Sequence, residues 1–270
     1  AMNPDLAAIT REGFAAVEEW LEFVCPSREN FRQEMVEKAR QMIRENKPDG
    51  ISIDFIRHFV YWEKVYPDRD PATLPQTCFD SLCLASFQED EGLEIPPALT
   101  TVPEKATWIL ESHPGEWIKW RSQLITSMVE DIALAVRDEK PDIKINIHLG
   151  PWSENDFDGG RMRVAGQDVL ALSEHADLLS PMTYAHMVKQ PPSWVHNITK
   201  DVSSHTNLPV LPSIQVGKAY LDIEYGLDEF RENLEEALLA PSAGVILWSW
   251  ERLIAEPQKV ELFAEIIKGN

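Results

Sequence analysis

One short stretch, residues 49–57 (DGISIDFIR), places two charged side chains directly after an alternating apolar run. Ile51 and Ile53 alternate with polar residues, which predicts a β-strand, and a Pro-Asp-Gly turn signal precedes them. Asp54 and Arg57 follow this strand. Such a carboxylate can act as an acid, a base or a nucleophile, and a nearby guanidinium would lower its pKa. The structural alternative is an ion pair that only holds the strand end in place.

Polar and aromatic side chains also end four later apolar runs. Their types are imidazole, phenol, amide, indole and carboxylate, and the residues are His148, Tyr184, His186, Gln215, Trp248, Trp250 and Glu251, with Trp152 and Trp194 in loops on the same side. Aromatic rings stack on the apolar faces of sugars, hydrogen-bonding groups bind sugar hydroxyls, and two carboxylates cleave glycosidic bonds. No Ser-His-Asp or Cys-His order stands out, so acyl transfer is poorly supported.

Several of these residues also have a purely structural interpretation. His148 lies on a mostly apolar strand, where a histidine with its hydrogen bonds satisfied in the core is the more common case. Trp248 and Trp250 alternate, so that one of the two is expected to be core. Glu251 could equally be a solvated residue at the start of the last loop.

The elements that must position these residues alternate between strands and helices. Apolar periodicity predicts helices over residues 5–23, 27–46, 81–87, 116–138, 167–175, 194–205, 227–239 and 260–267. Strands are predicted within 49–57 and over 144–149, 177–184, 210–216 and 244–250. This order predicts an α/β fold with a parallel sheet, and its rhythm is that of a (β/α)8 TIM-type barrel. The five strands correspond to strands four to eight, so the barrel is expected to be incomplete at its N-terminus.

Residues 58–114 show no clear period and are rich in proline, acids and aromatics. We interpret this segment as an insertion that forms one wall of a cleft at the strand ends, within a single domain covering residues 1–270.

Composition and charge restrict the partners. The 270 residues carry a formal charge of −20, which disfavours nucleic acid and suits a neutral or cationic substrate. No run is long and apolar enough for a membrane span, and no signal-peptide pattern is present. The expectation is a soluble protein, secreted or periplasmic if a signal peptide has been removed. The three cysteines, Cys25, Cys78 and Cys83, are interpreted as packing residues, because their spacing is poor for zinc. No metal or cofactor is expected, and the oligomeric state is open.

The order of these segments resembles glycoside-hydrolase-like TIM barrels related to the chitinase-type family eighteen and to uncharacterised glycosidase families. The likeness is carried by residues 25–27 (CPS), 49–57, 166–168 (GQD) with 179–184 (LSPMTY), 211–215 (LPSIQ) and 244–250 (GVILWSW). In addition, residues 78–83 (CFDSLC) resemble a degenerate form of a cysteine-rich insertion in such barrels. The resemblance implies a carbohydrate substrate. From the residue types at the strand ends, the expected binding residues are Arg57, His148, Trp152, Tyr184, His186, Gln215 and Trp248.

The chain departs from the chitinase pattern at its centre. Ile56 stands where those enzymes carry the catalytic Glu, and Gln215 stands where other barrels carry an acid on strand seven. Asp54 is therefore the one well-placed acid, and its predicted partner is Glu251. The other candidates for that role are Glu63, Glu154, Asp156 and Asp158.

The leading hypothesis is a glycoside hydrolase with Asp54 and Glu251 as catalytic residues. The second is a carbohydrate-binding barrel without catalysis, which the missing acids favour. The third is a metal-dependent hydrolase, which the scarcity of His and Cys disfavours.

Overall fold

The protein, described by a computed structural model over residues 6–269, is built from seven strands and ten α-helices in those residues. The strands are β1 (Val17–Glu18), β2 (Leu21–Glu22), β3 (Gly50–Ile53), β4 (Lys144–Leu149), β5 (Leu178–Pro181), β6 (Ser213–Gln215) and β7 (Ile246–Trp248). The helices are α1 (Glu29–Asn46), α2 (Ser81–Glu91), α3 (Val102–Ser112), α4 (Pro114–Glu139), α5 (Gly160–Arg163), α6 (Val169–Ser173), α7 (Ser193–Ser204), α8 (Leu227–Leu238), α9 (Trp250–Ala255) and α10 (Pro257–Gly269).

The last five strands run parallel and lie side by side in chain order. β3, β4 and β5 form one sheet, and β6 pairs with β7. Parallel bridges from Leu179 to Val210 and from Met182 to Ser213 join the two sheets across β5 and β6. The predicted α/β fold with parallel strands is thus present. Over residues 6–269 the strands do not close into a complete barrel, because β3 and β7 are each paired on one side only.

Burial along the strands follows their positions in the sheet. β3 alternates exposed and buried residues, as an edge strand with one covered face does. β4 is buried along most of its length, including the polar residue Asn146. The open side of β3 borders an apolar groove of about 710 Å³, whose other wall is α1 with Phe31, Met35 and Met42.

Helices cover the outer side of the sheet. α4 is the longest, with 26 residues, and packs against α1, where Arg32 forms an ion pair with Asp131 at 2.5 Å. A second apolar cluster lies beside the main core and contains the three cysteines, Phe79, Phe87 and the stacked pair Trp117 and Trp120. No described helix is both long and apolar enough to cross a membrane.

Several predicted elements differ in the structure. The strand predicted over 244–250 is shortened to Ile246–Trp248, and Trp250 begins α9. The segment predicted as a helix over 5–23 contains the β1–β2 hairpin instead (residue 5 is outside the described residues). Leu21, Phe23 and Cys25 are buried in alternation, which is the period of a strand. The helix predicted over 27–46 begins two residues later, at Glu29, with Arg28 at its N-cap position. Within the segment 58–114, helices α2 and α3 form, and α3 begins with a Thr101–Glu104 capping box.

Candidate active site

A cavity of about 270 Å³ opens at the C-terminal ends of the parallel strands, where the polar residues were predicted to meet. Carboxylates, one guanidinium, one imidazole and several aromatic rings line it together. The lining residues are Trp20, Asp54, Phe55, Arg57, Trp62, Glu63, His148, Met182, Tyr184, Met187, Ser213, Tyr220, Ile246, Leu247 and Trp248.

Asp54 lies where β3 ends and the chain turns sharply. Phe55 has a φ of 55°, and its N–H donates to Asp54 Oδ1 at 2.6 Å. This turn gives the Asp54 side chain a fixed direction at the mouth of the cavity. The carboxylate is exposed to solvent.

Glu63 is the second carboxylate of the cavity and lies in a short 3-10 turn, Trp62–Lys64. The residue is 7% exposed, and its Oε2 atom is buried without a hydrogen-bond partner. Burial raises the pKa of Glu63, the Arg57 guanidinium opposes this shift, and the negative charge of Asp54 adds to it. A carboxyl group in such surroundings keeps its proton to higher pH than usual and can act as a general acid.

Arg57 connects the two acids electrostatically. Its side chain is buried, with the guanidinium over the rings of Phe23 (5.3 Å) and Phe55 (4.9 Å). Burial lowers the pKa of Arg57, whereas the charges of Glu63 and Asp54 act in the opposite direction. The guanidinium therefore supplies a buried positive charge that acts on both carboxylates.

His148 is held above a polar layer that crosses three strands. Asn146 donates to Ser52 Oγ at 3.0 Å and accepts from Ser180 Oγ at 2.8 Å, and its side-chain nitrogen lies 3.5 Å from His148 Nε2. Burial lowers the pKa of His148, against the effect of the Asp54 charge, and its Nδ1 is buried without a partner. A neutral imidazole of this kind is suited to hydrogen bonding with a bound hydroxyl.

Aromatic rings form the walls of the cavity. Trp248 is 40% exposed and stacks on Tyr184 with 5.0 Å between ring centroids. The hydroxyl of Tyr184 lies 3.2 Å from Ser213 Oγ, and Trp62 packs against the same ring. Tyr220 also lines the cavity and contacts Tyr61, and burial together with the Glu63 charge raises the pKa of Tyr220. These surfaces can hold a ring-shaped ligand with one apolar face.

Five of the predicted site residues line this cavity together: Asp54, Arg57, His148, Tyr184 and Trp248. Four others do not line it. Gln215 is buried and accepts from the Met187 N–H while donating to Gly217 O, so both ends of its amide are used. His186 contacts Glu229 and Ile223 O, and Trp152 is buried against Phe157 next to a different cavity.

Glu251, the predicted partner of Asp54, lies in the first turn of α9 and is exposed to solvent. Backbone and Ser249 hydrogen bonds lower the pKa of its carboxyl, which favours a proton acceptor over a general acid. The alternatives Glu154, Asp156 and Asp158 border other cavities. Of the acids considered from the sequence, the structure brings Glu63 to the cavity with Asp54.

Sequence reasoning missed Trp20, Trp62 and Tyr220 as cavity residues. The aromatic run Tyr61-Trp62 next to Glu63 was a signal for that acid, since it provides the apolar surroundings that raise a carboxyl pKa. Trp20 was assigned to a helix, and no sequence pattern marks Tyr220.

Comparisons of the fold find glycoside hydrolases. The glycoside hydrolase domain of PgaB (BpsB) from Bordetella bronchiseptica is similar with a TM-score of 0.66 at 13% identity, covering 88% of this chain and 62% of that one. A β-galactosidase from the Antarctic haloarchaeon Halorubrum lacusprofundi has a TM-score of 0.62 at 13% identity, with 92% and 40% coverage. Bee venom hyaluronidase has a TM-score of 0.51 at 12% identity, with 97% and 81% coverage.

At this identity the similarity concerns the fold. The chain spans somewhat under two thirds of the PgaB domain and less than half of the β-galactosidase. No protein-family model and no curated protein matches the sequence.

Proposed function

We propose that this chain is a glycoside hydrolase domain that cleaves glycosidic bonds of an oligo- or polysaccharide, with Glu63 as the general acid and Asp54 as the carboxylate partner. The observation that carries the proposal is the pairing of a buried carboxyl of raised pKa with an exposed carboxylate in one aromatic-walled cavity. Two acids with opposite environments are what glycosidic cleavage requires.

The roles follow from the two environments. Glu63 protonates the leaving oxygen, while Asp54, open to solvent, attacks the anomeric carbon or activates the water that does so. Arg57 balances the charge of both carboxylates, and His148 with Tyr184 binds sugar hydroxyls. Trp248 and Tyr220 offer their faces to sugar rings.

The fold similarity to glycoside hydrolases supports this proposal at the level of reaction class. The five parallel strands are interpreted as strands four to eight of a TIM-type barrel within one domain. The segment 58–114 contributes Trp62 and Glu63 and forms one wall of the cleft.

The test is hydrolysis of an oligosaccharide panel by the chain and by three variants. Asp54→Asn and Glu63→Gln are each expected to lower kcat by about 10²–10⁴-fold, the usual contribution of one acid or base. Glu251→Gln makes the same chemical change at an exposed site and is expected to retain activity.

A substrate with a good leaving group separates the two roles. An aryl glycoside of low leaving-group pKa needs no protonation, so Glu63→Gln should recover most of its rate on it, whereas Asp54→Asn should not. Equal losses for both variants on both substrates would contradict the assigned roles. Binding of glycans without release of any product would favour a carbohydrate-binding barrel over an enzyme.

A further inference from the structure

The three cysteines, predicted as packing residues, meet at one point. Cys25 follows the β1–β2 hairpin, Cys78 lies in the loop before α2, and Cys83 lies in the first turn of α2. All three are buried, and the sulfurs of Cys25 and Cys83 are 3.0 Å apart. Their sulfur atoms and a carboxylate oxygen of Asp80 all lie within 4.8 Å of one another. Among residues 6–269, this is the one group of His, Cys, Asp and Glu found close enough to share a metal ion.

Only one of the two carboxylate oxygens of Asp80 has hydrogen-bond partners. Oδ1 accepts the N–H groups of Leu82 and Cys83, both at 3.2 Å, and pairs with Arg28 at 3.1 Å. Oδ2 is buried without any hydrogen-bond partner, although the residue is only 6% exposed. An unsatisfied buried carboxylate oxygen is costly, so a missing partner is indicated at this position.

We propose that Cys25, Cys78, Asp80 and Cys83 bind one Zn²⁺ ion in a closed, structural site. Three sulfurs and one carboxylate oxygen form a donor set that zinc accepts, and sulfur ligands select it over magnesium or calcium. A tetrahedral ion with Zn–S bonds of about 2.3 Å would hold its sulfurs about 3.8 Å apart, so Cys25 and Cys83 need to separate by about 1 Å. The thiols release their protons to solvent as the ion binds.

The surroundings balance the charge of this donor set. Three thiolates and one carboxylate leave the zinc complex with excess negative charge. Arg28 already contacts Asp80, and the fully buried Arg121 interacts electrostatically with Cys78 and Cys83. Two guanidinium groups therefore stabilise the complex where water cannot.

The site would connect the hairpin, the loop and α2, and it lies next to the active-site segment. Cys78 Sγ is 3.6 Å from Nδ1 of His58, the residue that follows Arg57. The ring of His58 is fixed on its other side by a hydrogen bond from Nε2 to Arg121 O at 2.9 Å. Zinc at this point would hold the turn that carries Asp54 and Arg57 in place from behind.

The first experiment measures metal in the purified chain. We expect elemental mass spectrometry to find one zinc ion per chain. The cobalt-substituted chain should show thiolate-to-cobalt charge-transfer absorption and the visible bands of a tetrahedral cobalt ion. Removal by a strong chelator should lower Tm by about 5–10 °C, as expected for an ion present at about 100 times its Kd. A chain that retains no metal and binds no cobalt would overturn the proposal, as would a Cys25–Cys83 disulfide found by thiol counting.

The second experiment uses two substitutions of Asp80 that separate its two tasks. Asp80→Asn keeps an acceptor oxygen for the N-cap of α2 but loses the ligand, and should weaken zinc binding more than about tenfold in chelator competition. Asp80→Cys loses the cap but offers a thiolate, and should retain stoichiometric zinc.

Thr77→Val is the matched control. Thr77 is buried and adjacent to Cys78, and its own hydroxyl has no hydrogen-bond partner. The variant should bind zinc like the unchanged chain. Unchanged affinity in Asp80→Asn, or loss of zinc in Thr77→Val but not in Asp80→Asn, would refute the assignment of Asp80 as a ligand.

Discussion

The buried carboxyl group of Glu63 lowers the free energy of unfolding, and the chain nevertheless carries it. Oε2 finds no hydrogen-bond partner, and Arg57 only partly offsets the burial that raises the pKa. A residue of this kind destabilises the folded state wherever it must ionise, which is typical of a group kept for chemistry.

Glu63→Gln is therefore expected to stabilise the protein at neutral pH. Because the folded pKa of Glu63 is raised above the ordinary value of 4.5, the folded state binds this proton more tightly than the unfolded chain does. The resulting stability is complete below pH 4.5 and is lost as pH rises through the folded pKa. Gln does not titrate, so the variant should gain on the order of 1 kcal/mol at pH 7 relative to the unchanged chain.

The measurement is urea unfolding of both proteins at acidic and neutral pH. Glu251→Gln serves as the control, since its exposed carboxyl has a lowered pKa and its loss should not stabilise the fold. A gain for Glu63→Gln that is the same at both pH values would contradict the titration argument.

For single residues, the sequence predicted which residue types form the site better than it predicted which of them lie close together. Asp54 was identified because it directly ends an alternating apolar strand, which is a local signal. Its proposed partner Glu63 and the cysteine cluster depend on contacts across the fold. Cys25 and Cys83 are 58 positions apart, and their spacing carries no trace of their proximity.

Among the elements, those that alternate regularly were predictable, and those fixed by tertiary contacts were not. The helices over 116–138 and 194–205 and the strand over 144–149 match α4, α7 and β4 closely, because long periodic runs set them. The β1–β2 hairpin was predicted as a helix, since its apolar residues fit both periods over a short stretch. In the structure the chain turns between β1 and β2 at Glu19, which has a φ of 53°.

Gly166 shows how one loop fixes the active-site segment. Its φ is 72°, and an added Cβ would lie 2.5 Å from His58 Cδ2. The neighbouring Ala165 O accepts the His58 N–H at 2.8 Å, so a backbone hydrogen bond holds the two segments at this separation. Gly166→Ala should therefore combine left-handed strain with a steric clash and cost about 2–4 kcal/mol of unfolding free energy.

Gly92→Ala provides the comparison for this prediction. Gly92 ends α2 with a φ of 63°, but nothing lies within 4 Å of the Cβ position. At Gly92 only the strain of the left-handed backbone applies, so Gly92→Ala should cost about 1 kcal/mol of unfolding free energy. Urea unfolding with unchanged m-values measures both, and equal losses would show that the contact with His58 contributes nothing.

At the scale of the whole molecule, the alternation of strands and helices predicted the parallel order of the strands. No local sequence pattern indicates whether these strands close into a barrel. Five strands in chain order leave β3 and β7 as edges over residues 6–269, and the apolar groove beside β3 follows from that opening. Charge is the other global property, and it depends on composition alone.

The formal charge of −20 should act on any charged substrate of the proposed hydrolase. A negative surface attracts a cationic oligosaccharide and raises its encounter rate, whereas a neutral oligosaccharide is unaffected. We expect kcat/KM for an amino-sugar oligomer with free amines to fall several-fold between about 10 mM and about 0.5 M salt, as the Debye length shortens from about 30 Å to a few Å. The N-acetylated oligomer of the same length should change little over this range. Tm recorded in the same buffers controls for an effect of salt on the fold, and a parallel change for both oligomers would show that the surface charge does not direct substrate to the cleft.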